Sequence, residues 1–446
     1  MHSKILRARG AALACVLGHL LCGSPANAQE FVPLWNGRDL TGWTNVNCAP
    51  ETFTVRDGMI VSTGVPTGVL RTTRMYENFV AELDWKHLKK EGNAGFFIHS
   101  GPLPICGQPF TKAIEIQIID GNSPEGVWTG HGDVFPIQGA TMTPDRPHPR
   151  GWMRSLPSER RAHPVGEWNH YRVESRDGRV TLAVNGKVVS GGSNCVPRRG
   201  YLCLESEGSE CHFRNLRIQE LPPPVPPPPT PEIAEADQGF VSLYNGLDLR
   251  GWKQAAGHAG HWQAKDWILD YDGKSAAEDK NLWTLKSFRD FQLIVDWRLT
   301  GVPQKKSVPV ILPNGDYAKN ADGSRRMAEV PDAGDSGIYL RGDDRAQVNI
   351  WCWPIGSGEF YGYRDDVQMP DAIRAGVTPR VQADKPIGQW NRFIITLRGE
   401  RVTVVLNGQT VIENARLPGI PAEGPIALQH HGDSIQFANL YVRELK

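Results

Sequence analysis

Charge of one sign is missing from this 446-residue chain: 49 lysines and arginines stand against 49 aspartates and glutamates. No basic stripe or long like-charge block breaks that balance, so nucleic acid is not the expected partner. Long apolar runs are missing too. After residue 22 nothing approaches the roughly 20 apolar residues of a transmembrane helix, so no such segment is expected. Neither CxxC nor HExxH spacing occurs, which argues against a zinc site. No cofactor is implied by the residues, and a divalent-metal requirement is left open. A helical period of 3.6 is absent as well. Helix should be scarce, limited to a few turns in the irregular stretches 141–165 and 302–331.

What is present begins with an address. Lys4, Arg7 and Arg9 precede an apolar run over 11–22, and Ala26-Asn27-Ala28 supplies a small-x-small cleavage pattern. Residues 1–28 read as an export signal, with the mature chain starting at Gln29 in the periplasm or outside the cell. Cleavage leaves 46 basic against 49 acidic residues and six cysteines: Cys48, Cys106, Cys195, Cys203, Cys211 and Cys352. In an oxidising compartment some should pair. Cys203 and Cys211 flank a turn at 207–209 and are placed to bridge adjacent strands, although spacing alone does not fix connectivity.

The chain then says nearly the same thing twice. FVPLWNGRDLTGW (31–43) returns as FVSLYNGLDLRGW (240–252), and ENFVAELDWKH (77–87) as RDFQLIVDWRL (289–299). GEWNHYRVESRDGRVTLAVNG (166–186) returns as GQWNRFIITLRGERVTVVLNG (388–408), and FRNLRIQEL (213–221) as FANLYVREL (437–445). Colinear repetition at about 200 residues per copy means two full domains, 30–221 and 238–446. Between them, 222–237 opens on PPPVPPPPTP, expected to be a polyproline II rod of roughly 30 Å that holds the domains apart. Within each domain the period is two. Phe79, Ala81, Leu83 and Trp85 alternate with Val80, Glu82, Asp84 and Lys86, and Asn185-Gly186 and Asn407-Gly408 mark hairpin turns. The fold class is all-β: two tandem jelly-roll sandwiches, a fold whose concave face commonly holds carbohydrate.

One strand carries most of the chemistry. Ile114, Ile116 and Ile118 point one way, while Glu115 and Gln117 point the other. Its twin places Val348, Ile350 and Cys352 against Gln347, Asn349, Trp351 and Trp353. Amides and carboxylates match sugar hydroxyls as donors and acceptors, and indoles stack on pyranose faces. NAGFFIHS (93–100) aligns with DSGIYLRG (335–342), setting His99 opposite Arg341 as candidate donors to an oxyanion. Asp84 and Asp296 also correspond and read as exposed strand residues pairing with neighbours. Asp120, His131, Asp133 and His163 lie in polar stretches of domain one. Glu359, Arg364, Asp365, Asp366, Gln429, His430 and His431 lie in those of domain two.

As an ordered set, LWNGRDLTGW, the NAG turn, IEIQIID, GEWN, NG and FRNLRI resemble the 3-keto-disaccharide hydrolase family. LYNGLDLRGW, DSGIYLRG, GQWN, GPIALQHHG and FANLYV do the same in domain two. The resemblance implies a concanavalin A-like jelly roll and an exported enzyme acting on glycosides oxidised at C3. It maps the family's Glu-x-Gln motif onto Glu115 and Gln117; domain two departs there with Gln347 and Asn349. The expected catalytic set is therefore Glu115, Gln117, His99, His131 and Asp120, with Glu115 as the base. Arg341, Asn349, Trp351, Trp353, Gln429 and His430 would bind an oligosaccharide or glycoside. A C3 ketone acidifies the C2 proton, so one base and one oxyanion donor suffice for β-elimination of the C1 substituent, followed by water addition. Two alternatives are a non-catalytic tandem lectin-like protein, gaining avidity from two linked sites, and a conventional two-carboxylate glycosidase.

Overall fold

Period-two alternation builds two β-sandwiches, as expected. The computed structural model describes residues 1, 30–120 and 130–446, so the export signal and its cleavage pattern lie outside the described residues. In domain one, Phe79–His87 runs between Asn169–Arg176 and Cys211–Glu220 in a nine-stranded sheet. A six-stranded sheet, which includes Tyr201–Ser206, Asn93–Ser100 and Ala113–Ile119 as neighbours, packs against it. Phe79, Ala81, Leu83 and Trp85 of the first sheet and Ile114, Ile116 and Ile118 of the second share one core. Domain two repeats the plan. Phe291–Leu299 lies between Asn391–Arg398 and Ile435–Glu444 in an eight-stranded sheet, opposed by a four-stranded one. Its core is separate, running from Tyr244 to Val442 without a residue of domain one. Both NG turns take positive φ at both residues, the type I′ geometry that matches strand twist.

Helix is scarce, but not where the sequence places it. The α-helices among the described residues are Tyr361–Arg364 and Asp371–Gly376. The stretches expected to hold helical turns instead carry the strand Thr141–Pro144 and the hairpin Gln304–Pro309 with Met327–Asp332. The six cysteines are all free thiols. Cys203 and Cys211 sit in different sheets and form no disulfide, so the expected bridge between adjacent strands is not made. Among the described residues no helix is long and apolar enough to cross a membrane.

The far end of the linker does not stand free of domain one. Proline supplies no amide hydrogen, but the residues around Thr230–Glu232, a 3-10 turn, do, and they dock onto domain one. The Arg198 amide donates to Glu232 O at 2.8 Å, the Ala234 amide to Arg199 O at 2.8 Å, and Arg198 pairs with the Glu232 carboxylate at 2.7 Å.

The domains also touch directly. The loop 101–112 of domain one lies on the eight-stranded sheet of domain two, where Asp296 accepts the Gly107 amide at 2.8 Å. Arg392 donates to Pro104 O at 3.0 Å and to Asp296 at 2.6 and 2.9 Å. Asn439 donates to Ile105 O, Gln108 O and Asp296. Asp296 is thus wholly buried, contrary to its reading as an exposed strand residue. Asp84, its twin, is half-buried and bonded to His170, Arg214 and Asn215. Arg214 fills the place that Ala438 leaves open to the loop in domain two.

Candidate functional site

The outer face of the six-stranded sheet carries the group of interest. Alternation sends Leu202, Leu204, Phe96, Ile114 and Ile116 into the core and turns Glu205, Gly95, Glu115 and Gln117 the other way. Register sets Phe96 beside Leu204 and Gly95 opposite Gln117, so Gly95 lies between the strands bearing Glu205 and Glu115. A Cβ on Gly95 would sit 2.8 Å from Glu205 Oε2 and 3.0 Å from Glu115 Oε1. Two carboxyls therefore converge over the one position that has no side chain.

Their surroundings hold protons on them. Burial, then the charges of Glu207 and Asp133, push the Glu115 carboxyl up to about 8, and Arg154 opposes them. Burial and the neighbouring Glu115 and Glu207 push Glu205 well above the carboxylate range. Two close carboxyls in one dry site cannot both ionise, so near neutrality the pair keeps at least one proton. Arg154 donates to Asp133 at 2.8 Å. Gln117 donates to Asn93 Oδ1 at 2.9 Å, and Asn93 Nδ2 in turn donates to Glu207, which extends a polar chain from the pair. Domain two approaches this edge: Asp266 accepts from the amide and hydroxyl of Thr67, and its charge helps to raise Glu207.

Domain two repeats the geometry with neutral groups. Gln347 stands for Glu115 and Gln429 for Glu205, with Gln347 Nε2 donating to Gln429 Oε1 at 2.6 Å and to Asn349 Oδ1 at 3.2 Å. Gly337 again leaves the space, since its Cβ would lie 2.3 Å from Gln347 Nε2. The acid–arginine pair is kept, as Glu359 with Arg364, both completely buried. Burial pushes Glu359 up to about 7 against the pull of Arg364. Asp335, in the place of Asn93, is also raised to about 7 by burial.

The structure brings together Glu115 and Gln117, and separately Asn349 and Gln429. The other expected residues go elsewhere. His99 is fully buried at a bulge with φ +54°, bonded to Ser175 Oγ at 2.9 Å, and burial lowers its pKa to about 4. Such a ring stays neutral in the core and is corrected from oxyanion donor to core residue. Arg341 occupies the matching bulge (φ +50°) and donates to Gly399 O, Pro421 O and Asp290, which makes it a clamp on turns. His131 lies against Trp85 with Nδ1 on Ile119 O. Asp120 lies five residues, about 16 Å, along the strand direction from Glu115, where it accepts from the Glu91 amide. His430 bonds Tyr271 OH. Trp351 is buried, donating its indole N–H to Gly356 O, and stacks on Trp353 at 4.0 Å, so it offers no open platform. Sequence reasoning missed Glu205, Glu207, Asn93 and Arg154. The signal for Glu205 was the alignment of LCLESEG (202–208) with IALQHHG (426–432), where Glu205 becomes Gln429 just as Glu115 becomes Gln347.

The raised carboxyls make stability pH-dependent. The folded chain holds a proton that an unfolded glutamate releases near 4.5, so this contribution is full below about pH 4.5 and is lost as pH rises through about 8. Urea unfolding at pH 5 and pH 8 should show wild type losing stability across that window and the Glu115→Gln, Glu205→Gln variant losing less. Equal losses would contradict the assignment.

Comparison with known proteins gives one family. The model of the 3-keto-alpha-glucoside-1,2-lyase-like domain matches residues 30–219 and again 239–443. A 3-keto-disaccharide hydrolase of Bacteroides thetaiotaomicron is 21% identical over 248 residues, covering 44% of this chain and 80% of the relative. Among solved structures, a candidate glycosyl hydrolase of Parabacteroides distasonis is 26% identical, covers 43% of this chain and 94% of its own, and aligns with a TM-score of 0.35. A carbohydrate-binding module of Bacillus subtilis is 13% identical over 40% of this chain and 96% of its own, with a TM-score of 0.28.

Proposed function

Given that the chain belongs to the 3-keto-alpha-glucoside-1,2-lyase-like family and is a carbohydrate-active hydrolase of that kind, we propose that domain one cleaves glycosides oxidised at C3. The single observation that carries this reading is the Glu115–Glu205 pair over Gly95, set against the Gln347–Gln429 pair over Gly337. In the form that has lost one of its protons, the pair offers a base and an acid side by side to a bound sugar. The ionised member takes the C2 proton. The electron pair left at C2 delocalises onto the C3 oxygen, where the protonated member or a neighbouring donor stabilises it. Collapse of the enolate breaks the C1–O bond, the departing oxygen takes a proton, and a C1–C2 double bond conjugated to the ketone remains. Water added at C1 completes hydrolysis.

A base raised by burial suits the task, because its conjugate acid is weak enough for the carboxylate to pull on a carbon-bound proton. Gln117 and Asn93 supply fixed amides beside the pair, fitted to hydroxyls. Arg154 supplies the opposing charge that keeps the pair able to ionise. Export to the periplasm or beyond is part of the same reading. The test is a matched pair of substrates, a glycoside and its 3-keto derivative. Cleavage of the oxidised sugar alone is expected, whereas equal cleavage of both points to conventional glycoside hydrolysis and binding without turnover points to a lectin.

A further inference from the structure

The outer face of domain two's four-stranded sheet lacks the loop that crosses domain one's, and it is part-exposed at Trp283 and Gln347 while Tyr339 and Gln429 are buried. In domain one, Phe97 follows Gly95 by two residues and is completely buried under Phe110, which the loop 101–112 lays across it at 5.7 Å and 81°. Domain two joins the equivalent strands, Ser336–Leu340 and Asp343–Ile350, through 341–342 alone. That connection carries no counterpart of Phe110. Tyr339, the counterpart of Phe97, instead stacks on Trp283 at 5.7 Å and 14°. Trp283 is part-exposed beside Leu285, which is 69% exposed.

Polar groups border these rings. Trp283 is held by its indole N–H, which donates to Asp279 at 2.8 Å. Gln429 donates to Tyr339 OH at 2.9 Å and accepts from Gln347, which makes a row of amides alongside the aromatic pair. A fixed indole face bordered by amides matches a pyranose ring, whose C–H face stacks while its hydroxyls both donate and accept. The same position in domain one carries the carboxyl pair. With amides in their place, this pair cannot take a proton from carbon.

We propose that this face is a second, non-catalytic saccharide site with Trp283 as its stacking platform, a proposal that rests on the carbohydrate-active reading of the chain. It replaces Trp351 and Trp353 as the ring surface of domain two and gives the domain a role of its own, holding a sugar while domain one reacts.

The test uses the full chain carrying Glu115→Gln and Glu205→Gln, with maltotriose and cellotriose as unoxidised probes, followed by saturation-transfer NMR and tryptophan fluorescence. Binding of at least one trisaccharide is expected at concentrations up to about 10 mM. Adding Trp283→Ala should weaken it about ten-fold or more, and Trp283→Phe should restore most of it. Binding that ignores Trp283→Ala, or no binding of either probe, overturns the proposal. Neither failure touches the domain-one reading, which is judged by 3-keto-glycoside cleavage with both glutamates intact. Cleavage of a 3-keto glycoside by the double-glutamine chain would instead make domain two catalytic and overturn the proposal from the other side.

Discussion

Glu115→Gln should lower turnover of a 3-keto glycoside by about 100-fold or more, the scale of a lost general base, and Glu205→Gln should do comparable damage. The two carboxyls should act as a unit because they converge over Gly95 and the charge of Glu115 raises Glu205. Removing either leaves one titrating group where the chemistry needs an acceptor and a donor together, so the double variant should be little worse than each single one. The fold has no reason to suffer, since domain two already carries the doubly amidated version, hydrogen-bonded at 2.6 Å. Far-UV circular dichroism and the unfolding midpoint at neutral pH should therefore stay native-like or improve while kcat falls. Full turnover by the double variant would remove the pair from the mechanism.

Asp296→Ala should cost about 3–5 kcal/mol of unfolding free energy, the range for one partner lost from a buried ion pair. Asp296 is completely buried and accepts from Nε and Nη2 of Arg392, the side chain of Asn439 and the Gly107 amide. Its removal leaves a guanidinium with 21% exposure and no carboxylate. The loop 104–108 should also lose its anchor, because Gly107 packs so closely that a Cβ there would lie 2.3 Å from Trp390. Asp84→Ala, the same change at the twin whose side chain is 14% exposed, should cost clearly less. Denaturant unfolding of both variants measures the difference, and equal small losses would mean that the interdomain lock is not under load.

How much was legible in the sequence depended on whether the physics was local. Period-two alternation around Phe79 and Ile114, the NG turns and the repeat itself were enough for two sandwiches with separate cores. Glu115 and Gln117 were legible for the same reason, because their strand has one apolar face and one polar face. Glu205 was not, since it meets Glu115 only through strand pairing across Asn93–Ser100, and that pairing spans about 90 residues of chain. His99 and Arg341 were correctly read as twins but wrongly read as donors. A bulge with positive φ turns each away from the face that simple alternation assigns to it. Trp351 failed for a similar reason: its strand ends at Ile350, so alternation no longer governs it. The docking of the linker's end was not legible because composition describes the prolines but not the edge of domain one that the residues after them pair with.

The most direct measurement of the central claim, removal of the C2 proton in domain one, is a comparison of kcat/KM for a 3-keto glucoside carrying hydrogen or deuterium at C2. A normal primary isotope effect is expected, together with deuterium entering C2 of the sugar when the reaction runs in heavy water, and the rate of that entry should fall about 100-fold or more in Glu115→Gln, Glu205→Gln. Equal rates for the two isotopologues, with the unoxidised glucoside cleaved just as fast, would contradict it.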